Sequence, residues 1–170
     1  MKIINILLLF AFLFSSTLFA DDYKVYKLYN NKFKVPLPHE PQPQMTGQVQ
    51  SYYAVDKSKN IMFSIVSSLS GNDYDIGEYK QSVKKSVDDS VTSALKHSGY
   101  EIIEFSSELI RQKNIYEAEY TIKFTESGQS GYISTKYIIY KKNIYKWSVI
   151  YYDLKQKHIF NNYKKYIELL

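Results

Sequence analysis

The stretch IYEAEYTIKFT, residues 115–125, alternates cleanly between apolar and polar side chains. The two alternating sets are Tyr116, Ala118, Tyr120, Ile122 and Phe124 on one side, and Glu117, Glu119, Thr121 and Lys123 on the other. Successive side chains of a strand point to opposite faces of a sheet. A period of two therefore predicts a strand with one face on the core and the other toward water.

Two further strands are expected after this one, over residues 131–141 and 144–152. Both carry apolar residues on both faces for much of their length, which is typical of strands near the centre of a sheet. The connection Lys142-Asn143 is so short that the two strands must be antiparallel neighbours. A polar loop over residues 126–130, which contains Gly128, joins the first of them to the alternating strand.

The segment before the alternating strand, residues 101–111, also has the pattern of a strand. Ile103, Phe105 and Leu109 are expected to share one of its faces, because they are separated by even numbers of positions.

A hairpin is expected nearer the N-terminus, from residues 48–56 and 61–69 joined by the short polar segment 57–60. Ile61, Phe63 and Ile65 share one face of its second strand.

Residues 23–35, rich in Tyr, Val and Phe, predict one or two strands before this hairpin. Four prolines then predict an extended loop without regular structure, because proline lacks the backbone N–H. They are Pro36, Pro38, Pro41 and Pro43.

The period changes to three or four residues between positions 76 and 95, which predicts an amphipathic helix. Its apolar stripe consists of Ile76, Tyr79, Val83, Val87, Val91, Ala94 and Leu95. Asp75 and Glu78 have the spacing of a capping box at its start. Gly99 can take the left-handed conformation that ends a helix.

A second helix is expected at the C-terminus, over residues 154–170. Asp153 and Gln156 again have the spacing of a capping box. The predicted apolar face consists of Ile159, Phe160, Tyr163, Ile167 and Leu170.

Together these elements predict an α+β fold, with an antiparallel sheet of about six to seven strands flanked by one long internal helix and a C-terminal helix. Residues 21–170 are enough for one core and are expected to form a single domain. The chain contains no cysteine, so packing must hold this domain together without disulfides.

Residues 1–20 have the three parts of a secretion signal. Lys2 lies at the start, an apolar run covers residues 3–14, and Ala20 precedes Asp21. We expect cleavage between Ala20 and Asp21, a periplasmic or secreted location, and a mature domain that does not cross the membrane. Retention as an uncleaved anchor is the alternative, because Leu18 stands where a small residue is usual.

The order of elements behind such a signal resembles the PsbP-like group of exported bacterial proteins. The resemblance rests on FKVPLP at residues 33–38, Tyr53, the strand over 61–69, the helix over 79–98, the strands over 132–141 and 144–152, and the closing helix. It covers nearly all of residues 21–170 as a likeness of pattern and element order. It implies a sheet flanked by helices, a PsbP-like sandwich, and a binding or accessory role rather than catalysis. It brings no catalytic residues with it.

The residue types that carry catalysis show no specific pattern, and we expect no catalytic, metal or cofactor site. His39, His97 and His158 are too far apart in sequence to form a local metal pair. His97 suits the last turn of the internal helix, where a cation complements the helix dipole. His39, between prolines, is expected in a solvated loop. The segment GQSG, residues 128–131, has the wrong spacing and context for a nucleophile elbow and is expected to be a hairpin loop.

Acidic and amide residues between positions 72 and 78 raise the question of calcium. An EF-hand type of loop needs a carboxylate eleven residues after Asp73, and that position is Lys84. Asp88 and Asp89 are adjacent on the predicted helix, so they point in different directions and do not suit a shared acid–base role.

The basic residues are more informative. Four lysines of the last predicted hairpin alternate with tyrosines, and the residues expected to bind a partner are Lys136, Tyr140, Lys141, Lys142, Tyr145 and Lys146. A second group lies on the final helix, at Lys155, Lys157, Lys164 and Lys165. The chain has a net charge of +5, and removing Lys2 leaves +4. So mild an imbalance also fits a solvated sheet edge that lysines protect from pairing.

These observations support three hypotheses. The first is an exported, non-enzymatic binding or accessory protein, which offers a sheet face or the basic hairpin to a periplasmic protein or an anionic envelope component. Export argues against nucleic acid as the partner. The second is an envelope hydrolase whose site is assembled from residues distant in sequence. The third is attachment to membrane lipid through the Lys-rich face of the terminal helix.

Overall fold

The computed structural model describes residues 23–47, 49–74, 81–110 and 114–170. The elements are β1 (Lys24–Leu28), β2 (Phe33–Leu37), β3 (Gln42–Thr46), β4 (Val49–Asp56), β5 (Ile61–Tyr74), α1 (Gln81–His97), β6 (Glu101–Ile110), β7 (Ile115–Glu126), β8 (Gln129–Tyr151), α2 (Lys157–Tyr163) and β9 (Glu168–Leu169). The predicted signal over residues 1–20, and the capping box of Asp75 and Glu78, lie outside the described residues.

The strands form two antiparallel sheets. The larger has the order β3-β4-β5-β8-β7-β6, and the smaller has the order β1-β2-β9. The predicted α+β class, with an antiparallel sheet, one internal helix and one C-terminal helix, is confirmed. The separate three-stranded sheet was not expected, because its members come from opposite ends of the chain.

The long strand β8 folds back on itself. Its first part pairs with β7 and its second part with β5. Thr135 Oγ1 lies 2.9 Å from Ser148 Oγ, whereas a straight strand would separate these residues by about 40 Å. Lys141 has a φ of 53°, and both Lys141 and Lys142 are exposed. The predicted hairpin is thus present, with its turn one residue earlier than expected.

The main core lies between the larger sheet on one side and the smaller sheet and α2 on the other. Trp147 is fully buried at its centre, with its ring 5.4 Å from that of Phe160 on α2. Ile61, Phe63 and Ile65 face this core as predicted, and all three are almost completely inaccessible to solvent.

A second cluster lies on the opposite face of the sheet, beneath α1. Four of the alternating apolar residues of β7 are buried there, as predicted: Tyr116, Ala118, Tyr120 and Ile122. Val87 of α1 is buried against them. Gly99 ends the helix with a φ of 76°, and the Tyr100 N–H donates to the Leu95 carbonyl as in a Schellman motif.

The prediction that Ile103 shares a face with Phe105 is wrong. A bulge interrupts the pairing of β6 with β7 between Ile102 and Glu104, so the alternation reverses at this point. Ile102 therefore joins Phe105 and Leu109 in the cluster beneath α1, and Ile103 is exposed.

The four prolines do not form a wholly irregular loop. Pro36 lies in β2, and Pro43 lies in β3. Strand β3 is at the edge of the larger sheet, and β9 pairs only with Phe33 and Lys34 of β2. Both prolines therefore lie in strand segments that have a neighbouring strand on one side only, which is where proline is tolerated in a sheet.

The terminal helix is shorter than predicted. Helix α2 lies between two 3₁₀ turns, and the chain ends in β9, where Leu169 pairs with Phe33. The capping box of Asp153 and Gln156 is present as expected. Leu170 is exposed rather than part of an apolar face. The backbone of β9 gains partners in β2 that a helical end would lack, and this overrides the amphipathic pattern.

Candidate functional site

Among the residues predicted to bind a partner, those at the turn of β8 are the most exposed. Lys141 and Lys142 both reach solvent, and the Lys141 ammonium lies 5.3 Å from the centre of the Tyr140 ring. Leu69 of β5 pairs with Asn143 beside this turn and is 64% exposed. Two cations and one exposed apolar side chain therefore meet at this end of the sheet.

Lys136 is not available in the same way. It is almost buried on the face that carries α2, and its Nζ lies 3.0 Å from Glu117 Oε2. Its charge is therefore paired within the fold.

The two tyrosines of the predicted set differ in position. Tyr145 is buried in the main core and stacks on Phe33 with ring centres 5.2 Å apart. Tyr140 is only partly buried, at the edge of the same core. A partner at the turn could reach Tyr140, whereas Tyr145 supports the strand from inside.

Lys146 lies on the other face of the sheet, beneath α1. Its ammonium is 5.4 Å from the centre of the Tyr137 ring. The six predicted residues thus occupy three environments, and their binding role stays a prediction.

The structure contains a polar cleft between α2 and the strands β6 and β7 that the sequence pattern did not predict. Its volume is about 320 Å³, and it adjoins a second pocket of about 290 Å³ that is lined by β6 and β7 alone. Three glutamates around it each pair with a lysine, as Glu104–Lys157, Glu117–Lys136 and Glu119–Lys164. The polar face of the alternating strand is the one sequence feature that points to this cleft. The lysines lie elsewhere in the sequence and are brought to the cleft by the fold.

These ion pairs also reduce the number of exposed lysines on the terminal segment. Lys157 and Lys164 reach across to the sheet, so only Lys155 and Lys165 of the predicted basic face are exposed.

A second polar network anchors α1 to the sheet. Asp88 accepts hydrogen bonds from Tyr116 Oη at 2.6 Å and from Lys84 Nζ at 2.7 Å. Burial and the bond to Asp88 raise the pKa of Tyr116 well above its ordinary value. Asp89 is exposed, so the two aspartates diverge as expected.

His97, His39 and the glycine loop make local contacts within the fold. His97 lies in the last turn of α1, where its Nδ1 donates to the Ser93 carbonyl at 2.8 Å. His39 is exposed, and its Nε2 lies 3.1 Å from the Val55 carbonyl oxygen. Gly128, with a φ of 82°, forms the β7–β8 turn, which confirms the hairpin loop.

The acidic segment over residues 72–78, which raised the question of calcium, lies outside the described residues from position 75 onward. Within the described part of the chain, no group of three or more His, Asp or Glu side chains could hold a metal ion. No helix among those residues is long and apolar enough to cross a membrane.

No protein-family model matches the chain, and no curated protein matches it. Among solved structures, the chain is similar to cyanobacterial PsbP from Synechocystis sp. PCC 6803, with 11% identity over 87% of this chain and 92% of that one, at a TM-score of 0.53. The larger sheet, the internal helix and the terminal helix therefore form a PsbP-like fold.

Two further similarities are weaker. A structure from Bacteroides thetaiotaomicron has 14% identity over 86% of this chain, at a TM-score of 0.49, and the chain spans about half of that protein, 48%. The Ran-binding protein Mog1p of Saccharomyces cerevisiae has 10% identity over 82% of each chain, at a TM-score of 0.47.

Proposed function

We propose that this protein is an exported, non-enzymatic binding or accessory protein that presents its basic turn to an anionic component of the cell envelope. The observation that carries the proposal is the exposure of Lys141 and Lys142 beside the exposed Leu69. Lysines attract anionic headgroups, and an apolar side chain beside them can enter the boundary of the lipid layer.

The compartment is part of the proposal. Residues 1–20 support export through Lys2, the apolar run and Ala20 before Asp21. Cleavage there would release the domain, and retention would hold it beside the membrane. An anionic lipid surface is accessible to the domain in either case.

A hydrolase in the polar cleft is the second candidate. Ser106 and Glu119 both line this cleft, so a hydroxyl and a carboxylate from adjacent strands meet there. The ion pair of Glu119 with Lys164 favours a structural role, because the carboxylate is already engaged by a lysine of this fold. Ester hydrolysis that Ser106→Ala abolishes without unfolding the protein would favour the enzyme.

Vesicle binding tests the leading proposal. The full chain is expressed, and the mass of the exported protein is measured by mass spectrometry to determine whether residues 1–20 remain. It is then sedimented with vesicles of phosphatidylglycerol and phosphatidylcholine, or of phosphatidylcholine alone. We expect binding only to the anionic vesicles, with a loss of about tenfold or more in Lys141→Gln/Lys142→Gln, since a lysine near such a surface contributes about 1 kcal/mol.

The matched control is Lys155→Gln/Lys165→Gln, which removes the same charge from the terminal segment. Lys165 lies 5.0 Å from the Tyr166 ring centre, much as Lys141 lies over Tyr140. The control should bind like the unaltered protein. If it loses binding while the turn variant keeps it, the terminal helix is the lipid surface and the proposal for the turn is wrong. Binding of an envelope protein but of no vesicle would also overturn the lipid assignment.

A further inference from the structure

A cleft between α1 and the sheet is lined mainly by aliphatic and aromatic side chains, together with Ser90 and one cation. Its volume is about 170 Å³, and its lining includes Val87, Val91, Leu95, Tyr120, Tyr137 and Ile139. Lys146 completes the lining from the sheet side. The cleft is separate from both the basic turn and the polar cleft beneath α2.

Lys146 is partly buried and has no acidic partner among the described residues. Its ammonium contacts the Tyr137 ring, and burial lowers its pKa with no charged group contributing. Lys136, on the opposite face of the sheet, is by contrast paired with Glu117 at 3.0 Å. On the helix above, Asp88 is bonded to Lys84 and Tyr116, and Asp89 is exposed.

An ammonium in such surroundings has lost much of its hydration and gained no counter-charge. Burial of a charge is unfavourable unless the charge is paired. An anion that bound in the cleft would pair with the Lys146 ammonium and offset part of this cost. The apolar lining would at the same time favour a molecule with an apolar body.

The size of the cleft limits the ligand. An apolar cavity of roughly 150 Å³ in a protein takes up benzene. The space beneath α1 is about 170 Å³, which suits one ring or a short aliphatic chain together with one small anionic group.

We propose that the cleft beneath α1 binds a small carboxylate with an aromatic or short aliphatic body, its carboxylate on Lys146 and its apolar part against Val91, Leu95 and Ile139. Tyr137 holds the ammonium from one side, and the carboxylate occupies the side that opens into the cleft. This site does not depend on the proposed lipid contact.

Benzoate and benzamide provide the test, because they share a shape and differ in charge. Calorimetric titration of the purified protein should give affinity for benzoate at least about tenfold higher than for benzamide, as expected for a charge-assisted hydrogen bond. Lys146→Met should lower the benzoate affinity about tenfold and leave benzamide unchanged, and Lys146→Arg should retain the preference for the anion.

Lys85→Met is the matched control, since Lys85 is exposed on α1 and the substitution removes the same charge. It should bind benzoate like the unaltered protein. Thermal unfolding establishes that each variant is folded, and Lys146→Met should be at least as stable because it removes a partly buried charge that has no acidic partner among the described residues. Equal affinity for the two probes, no benzoate binding, or full benzoate binding by Lys146→Met would each overturn the proposal.

Discussion

Asp88 illustrates how a single residue joins two elements of this fold. Burial alone would raise its pKa, but the hydrogen bonds from Lys84 and Tyr116 outweigh burial and lower the pKa below its ordinary value. The folded state therefore favours the ionised form more than the unfolded chain does. This stabilisation is present above about pH 4, where Asp is ionised when unfolded, and is lost as the pH falls through the folded-state pKa.

Asp88→Asn should lower the free energy of unfolding at pH 7 by about 1.5–3 kcal/mol, the range for hydrogen bonds to a charged group. The difference from the unaltered protein should shrink at pH 3, because this aspartate is mostly protonated in the unfolded chain there, and the preference of the folded state for the ionised form then contributes less. Urea unfolding at both pH values measures this. Asp89→Asn, a change of the exposed neighbour, is the control and should have little effect at either pH. An equal loss at both pH values for Asp88→Asn would contradict an ionic origin.

At the scale of elements, α2 is held mainly by its rings. Phe160 stacks on Trp147, and Tyr163 stacks on Tyr23 with ring centres 4.6 Å apart. The pair Lys164–Glu119 is partly exposed, and such pairs contribute little to stability. Apolar packing therefore fixes α2 on the sheet. The ion pairs help to orient the helix but contribute little to the free energy of unfolding.

Phe160→Ala should destabilise the protein by about 3–5 kcal/mol, because it removes a buried ring and leaves a cavity beside Trp147. Thermal unfolding followed by circular dichroism measures the loss. Tyr166→Ala, which truncates a ring that is 48% exposed, should change stability by less than about 0.5 kcal/mol. Similar losses in the two variants would mean that α2 is not held by the core face.

For the whole molecule, the two sheets share one main core, and the only tryptophan lies at its centre. Trp147 is fully buried among Phe63, Phe160 and the strands around it. Strands β7 and β8 contribute to this core and also to the cluster beneath α1. The unfolding of either side therefore disturbs the other.

We expect cooperative unfolding, in which the emission of Trp147 and the far-ultraviolet circular dichroism change at the same urea concentration. The reason is that Trp147 reports the main core while circular dichroism also reports α1. A circular dichroism transition that precedes the fluorescence change would contradict this result, and would mean that α1 unfolds as a separate unit.

The alternation of residues 115–125 and the change of period in α1 were sufficient to predict the type of each element, because local pattern sets which face is apolar. The face of Ile103 was not predictable, because a bulge is a property of the paired strands. Strand β9 was missed because it needs β2, from the other end of the chain, as its partner.

For the candidate site, the sequence predicted lysines at a turn but could not show which of the neighbouring lysines are exposed. Lys136, Lys141 and Lys146 are alike in sequence and differ in the structure as a paired, an exposed and an enclosed cation. Their surroundings come from β7 and α1, which are distant along the chain.

The α+β class, the antiparallel order around the β8 turn and the absence of disulfides can all be predicted from the amino-acid sequence. These follow from side-chain periodicity, a short connection and a cysteine count, all of which are local. Three other properties follow from packing: which cations are neutralised, where the clefts lie and how β9 pairs with β2. Those properties depend on distances between segments that only packing brings together.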